Sequence, residues 1–120
     1  MGNRFRAPSY KLLLDPEFAI QKTPIGDLSD GMKRVVVEGI IDSVPSPREV
    51  VSRKDSKTHR VADAILSDDS GSVKLVLWND MIRQVKPGER VLIEPGYVSS
   101  FRDELQLNVS KFGRIVILLE

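Results

Sequence analysis

Three aromatic side chains and their cationic neighbours carry the clearest chemistry in this sequence. Trp78 is the only tryptophan and ends the segment Val73-Lys74-Leu75-Val76-Leu77-Trp78. Side chains alternate faces along a strand. Val73, Leu75 and Leu77 then share one face, and Lys74, Val76 and Trp78 the other. A small barrel has one inside, and Val-Leu-Leu is its natural filling. That turns Trp78 and Lys74 outward together. An exposed indole offers a π face to a nucleobase, and an ammonium beside it attracts phosphate. The same strand also permits Trp78 to lie under a loop or helix as a satellite of the core. Downstream, Tyr97 and Phe101 flank Ser99-Ser100, read here as a turn, with Arg102 directly after. Two rings and a guanidinium at a hairpin make a stacking platform with a cation at its side. The competing reading is ordinary cross-strand packing of the two rings.

Charge adds a second element. Arg48, Arg53, Lys54, Lys57 and Arg60 are opposed locally only by Glu49 and Asp55, although the whole chain carries a formal charge of just +1. A cationic loop of this kind closes over a phosphate backbone, or is a solvated loop with ordinary surface charge. Lys74, Arg102 and Lys111 are the further cations on the predicted sheet. His59, the single histidine, reads as a strand-end surface residue. No phosphate-binding glycine loop, nucleophile elbow or zinc-protease helix motif occurs. With no cysteine in the chain, disulfides, thiolate metal sites and cysteine nucleophiles are excluded. Asp68-Asp69 in DDSG is better read as turn chemistry than as a metal site. A binding protein without cofactor or metal is expected, and not an enzyme.

These groups need a scaffold of strands. The 120 residues suit one domain, and 41% apolar residues are enough for a core. Predicted strands run over 33–43, 59–67, 73–78, 89–98 and 105–119, the last interrupted near Lys111-Phe112-Gly113. Gly39 marks a bend in the first of them. A long loop fills 44–57. A short helix spans 79–85, capped by Asn79 or Asp80. Turns fall at Asp68-Asp69-Ser70-Gly71 and Lys86-Pro87-Gly88, and Asp30-Gly31-Met32 also fits a turn. Three strands, a helix and two strands is the order of an all-β, five-stranded antiparallel OB-fold barrel, with the helix between the third and fourth strands. That fold binds oligonucleotides on its second and third strands and on the loops after its first and fourth. Trp78 and the Tyr97–Phe101 hairpin fall on those places.

Several stretches together resemble a known family. They are Ile25 to Met32 (IGDLSDGM), Asp68 to Leu75 (DDSGSVKL), Leu77-Trp78, Lys86 to Glu89 (KPGE) and Gly96 to Phe101 (GYVSSF). In this order they are similar to the single-OB single-stranded DNA-binding proteins of archaea, to their human-type relatives in the SOSS complex and, more distantly, to replication protein A. The resemblance covers about residues 25–115. It implies base stacking at Trp78, Tyr97 and Phe101, with cations near Arg48, Lys54 and Arg60. Where some relatives carry another aromatic, this chain has Asn108. The acidic, glycine-rich tail of many archaeal members has no counterpart.

Residues 1–24 are read as an N-terminal arm that packs on the barrel or on a partner, and 25–120 as the OB-fold domain. The arm holds Arg4, Arg6, Lys11 and Lys22 and is broken by Pro8, Pro16 and Pro24. The start lacks a secretory signal and no run approaches the ~18 apolar residues of a membrane span, so a soluble, cytoplasmic protein is expected. Single-stranded DNA in replication, recombination or repair is the expected partner, bound without strong sequence preference. Two alternatives stand beside it. One is an interaction subunit of a replication protein A-like complex, with partners or self-association through the arm. The other is RNA binding by the same fold, since the 2′-OH is read by details of the site.

Overall fold

The computed structural model describes residues 21–119. Six strands follow one another: β1 (Lys33–Ser43), β2 (Arg48–Val51), β3 (Thr58–Asp68), β4 (Gly71–Trp78), β5 (Arg90–Phe101) and β6 (Glu104–Leu118). β1 pairs with β5, β5 with β6, β6 with β4 and β4 with β3, and β3 returns to β1. Five strands therefore close a barrel, as the sequence led us to expect. A ring with an odd number of strands cannot alternate direction throughout. The one parallel join falls between β4 and β6, and every other pair is antiparallel.

β1 shows how the ring closes. Its first part pairs with β5 from Lys33 to Ile40, and its end pairs with β3 from Ile40 to Ser43. Gly39 sits at that corner. A Cβ there would lie 2.7 Å from the Ser67 carbonyl oxygen, so only glycine lets β1 approach β3 so closely. Val37, Ile41, Ala64, Leu66, Leu75, Leu77, Val91, Ile93 and Leu107 fill the interior and are fully buried. Removing each large apolar side chain from water contributes about 1.5–3 kcal/mol.

Three local expectations are corrected. The loop predicted over 44–57 contains β2, which pairs with the start of β3 from Arg48↔Val61 to Val51↔Thr58. The charged composition of that stretch masked a Glu-Val-Val run with strand propensity. The short helix expected over 79–85 is present as a 3-10 helix over Asn79–Gln84, but neither Asn79 nor Asp80 caps it: Trp78 is the N-cap residue and makes no side-chain cap bond. Ser99-Ser100 lies within β5, and the turn is Arg102-Asp103, with φ of 53° and 65°. Two successive positive φ values give the tight hairpin turn whose twist matches its strands. Glycine or asparagine would have announced it, and Arg-Asp does not.

The interruption foreseen in the last strand is a register slip. Gly96 faces Val109 but Glu94 faces Arg114, so residues 110–113 stand opposite Pro95 alone. At the other end of the barrel, Asp68 ties the Ile25–Asp27 turn to the β3–β4 hairpin. Its carboxylate accepts the Ile25 N–H at 2.9 Å, the Ser70 N–H at 2.7 Å, the Ser70 hydroxyl at 2.6 Å and the Gly71 N–H at 3.2 Å. The arm expected over 1–24 lies outside the described residues up to residue 20. Its last residues run beside β1, where the Thr23 N–H donates to the Val36 carbonyl at 2.8 Å and Lys22 pairs with Glu38 at 2.7 Å.

Candidate nucleic-acid interface

Strand register assembles one outward face from β5, β6, β4 and β3. Tyr97 lies opposite Asn108, Asn108 beside Val76, and Val76 opposite Asp63. The next row holds Ser99, Gln106, Lys74 and Ile65. Phe101 and Glu104 begin a third row at the hairpin tip. On the other side, Trp78 lies opposite Val61, which in turn faces Arg48 on β2.

Leu75 is 0% exposed while Trp78 is 44%, Tyr97 42% and Phe101 59% exposed, so the strand phase read from the sequence holds. Phe101 and Tyr97 lie along β5 and Trp78 lies two strands across on β4, neighbours separated by roughly 12–13 Å from strand spacing and rise. Asn108 forms the floor between them. It is buried, and its Nδ2 donates to Ser99 Oγ at 3.1 Å. A polar, hydrogen-bonded amide thus occupies the row between Tyr97 and Val76 where another ring would have added stacking area.

The cations divide into compensated and uncompensated ones. Arg48 lies on the face but is held by Asp63 at 2.7 Å, and Lys74 by Glu104 at 2.9 Å. Among the described residues, Arg53, Lys54 and Lys57 carry no ion pair and are exposed at the tip of the β2–β3 hairpin. Arg102 places its guanidinium carbon 5.0 Å from the Phe101 ring centroid. Lys111 lies 5.5 Å from the ring of Phe112. Arg60 stands apart. It pairs with Glu49 and has the opposite strand parity to Val61 and Asp63, so its side chain leaves the sheet on the far side from Trp78.

Three further residues bear on this geometry. His59 packs edge-on against Trp78, with ring centroids 6.0 Å apart and planes at 77°. Asn79, in left-handed backbone at φ 51°, accepts the Arg60 N–H on Oδ1 at 3.0 Å. Its Nδ2 therefore faces His59 Nδ1, at 3.0 Å. That leaves the imidazole proton on Nε2, which donates to Asp55 at 3.2 Å. The Lys57 backbone N–H holds the Asp55 carboxyl below its ordinary pKa against the opposing effect of desolvation, with His59 adding to the lowering. The hairpin tip, the imidazole and the indole are thus one connected set. The β3–β4 turn fixed at Asp69-Ser70 was the signal for His59: pairing Val61 with Trp78 puts residue 59 next on the same face. The third residue is Phe112, an aromatic outside every predicted core position.

Comparisons with known proteins agree with this geometry. Residues 30–117 match a protein-family model described as single-stranded DNA binding protein Ssb-like, OB fold. The chain is 29% identical over 91 residues to the single-stranded DNA binding protein Ssb of Saccharolobus solfataricus, covering 76% of this chain and 60% of that protein. It is 30% identical over 105 residues to replication factor A of Methanothermobacter thermautotrophicus, covering 85% of this chain and 13% of that protein. Its fold is similar to the second OB-fold domain of replication protein A from Methanococcus maripaludis, with a TM-score of 0.68 and 25% identity over 83% of this chain and 97% of that one.

Proposed function

Since the chain belongs to the Ssb-like OB-fold family of single-stranded DNA-binding proteins, we propose that it binds single-stranded DNA by stacking bases on Trp78, Tyr97 and Phe101. The observation that carries this reading is the exposure of all three rings on one outward face of a single sheet. Stacking is tolerant of sequence, because every base has a π face. Backbone phosphates are attracted by Arg53, Lys54 and Lys57 at the β2–β3 hairpin tip, by Arg102 in the β5–β6 turn and by Lys111 in the middle of β6. Arg48 and Lys74 serve second, since each must first leave a carboxylate, and Arg60 acts only if the strand curls around the hairpin. The reaction asked of this face is binding alone, and its place is in replication, recombination or repair, in the cytoplasm. The arm 1–24 is the segment proposed to meet protein partners, with 25–120 as the binding domain.

DNA is favoured over RNA by the families the chain resembles, and single strands over duplex by geometry, because paired bases hide their faces. Fluorescence anisotropy of a labelled oligo-dT, competed with unlabelled oligo-dT, oligo-rU and blunt duplex of equal length, tests both. The expected order is oligo-dT first and duplex last by tenfold or more. Duplex competing as well as oligo-dT would overturn the proposal.

A further inference from the structure

Phe112 is 90% exposed, more than any of the three rings assigned above. It does not sit on a frayed loop. It stands in the middle of β6, in the stretch where residues 110–113 face Pro95 alone. The arch is built against that residue. A Cβ on Gly113 would run into the Pro95 carbonyl oxygen, so glycine is what allows the two backbones to meet there. Leu107 before the arch and Ile115 and Ile117 after it pack on the core. Phe112 follows, four residues on, from Asn108, which with Gln106 lies on the face with Tyr97 and Ser99.

Its position extends the row of rings. β4 and β6 run parallel with Lys74 beside Gln106 and Val76 beside Asn108. Continued two residues past its last pair, that register would bring Trp78 level with Ser110, where the arch begins. Phe112 is thus the next aromatic past Trp78, at the opposite end from Phe101. Its chemistry repeats that of the hairpin tip. Phe101 has the Arg102 guanidinium over its ring at 5.0 Å, and Phe112 has the Lys111 ammonium at 5.5 Å. Each unit offers one ring for a base and one cation for the phosphate beside it.

We propose that Phe112 and Lys111 form a fourth base-stacking position, so that single-stranded DNA runs over Phe101, Tyr97, Trp78 and Phe112 in turn. This rests on the reading of the face as a single-strand site. It gives the arch a purpose: it moves a ring out from the sheet to meet a strand that has already crossed Trp78. It also accounts for how the chain manages with Asn108 in the middle of the face, since stacking area is moved to the end of the path.

The test uses Phe112→Ala, Phe112→Tyr and Trp78→Ala with two oligo-dT lengths, about six and about fifteen nucleotides, spanning the range of single-OB site sizes. Phe112→Ala is expected to weaken the longer oligomer by roughly tenfold and the shorter by less than twofold. Phe112→Tyr should bind both as the unaltered protein does, and thermal unfolding should not move. Unchanged binding of the longer oligomer by Phe112→Ala, or equal loss for both lengths, would overturn the fourth position. Trp78→Ala separates the two readings. If it weakens both lengths while Phe112→Ala weakens neither, only the fourth position fails. If it weakens neither, the face itself has been misread.

Discussion

At the scale of single residues, each ring on the face has little to do for the fold. Trp78, Tyr97 and Phe101 point away from a core already closed by Leu75, Leu77, Val91 and Ile93. Replacing Trp78 or Phe101 by Ala should therefore cost about 1–3 kcal/mol of oligonucleotide binding each and leave the unfolding midpoint nearly unchanged. Isothermal titration beside a thermal melt checks both halves, and a double variant with full affinity would rule out stacking. The phase of these residues was legible because alternation is a local property: Val73, Leu75 and Leu77 inward means Trp78 outward. His59 was not legible in that way. Its place beside Trp78 depends on the pairing of β3 with β4 and on the left-handed Asn79, neither of which a one-strand pattern contains. Phe112 escaped for a related reason, since its exposure arises from a slip between two strands distant in sequence.

Among the elements, the β2–β3 hairpin matters most for charge. The sequence pointed to a basic loop over 44–57, and the structure supplies an arm of paired strand with the free cations at its tip. An arm of that kind holds Arg53, Lys54 and Lys57 together beside the Trp78 end of the face, where a floppy loop would disperse them. Reversing all three to Glu should weaken binding to every sequence alike and flatten its salt dependence. For single strands the slope of log K against log salt is about −0.7 per phosphate neutralised, so losing two or three contacts reduces its magnitude by about 1.5–2. Trp78→Ala should lower affinity at all salt concentrations with nearly the same slope. An unchanged slope in the hairpin variant would shift the phosphate contacts to Arg102 and Lys111. The turn at Arg102-Asp103 belongs to this scale too. Its residue types gave no sign of positive φ, and only closure of the β5–β6 ribbon imposes it.

For the molecule as a whole, the class of fold could be read from strand count, turn positions and Gly39, while ring closure through a parallel β4–β6 join could not, because it depends on pairings far apart in sequence. The barrel's stability carries a pH signature at Asp68. Burial pushes its carboxyl up, and the Ser70 hydroxyl with the amides of Ile25, Ser70 and Gly71 outweighs this, so the group sits below its ordinary value of 3.8. The folded state thus favours the carboxylate. Its contribution is complete above that value and is lost as pH falls below 3.8 through the folded pKa. Asp68→Asn should cost about 1–3 kcal/mol at neutral pH, and its gap from the unaltered protein in denaturant midpoint should narrow as the pH is taken below 3.8. A gap that stays constant would remove Asp68 from the acid response. With a net charge of only +1, general attraction to nucleic acid is weak, and affinity has to come from the face itself. Trp78, the only tryptophan in the chain, reports on that face directly. Its emission, titrated with oligo-dT and with blunt duplex of the same length, should be quenched saturably by the single strand and hardly at all by the duplex. Binding of the single strand with Trp78 emission unchanged, or equal quenching by duplex, would contradict the stacking account.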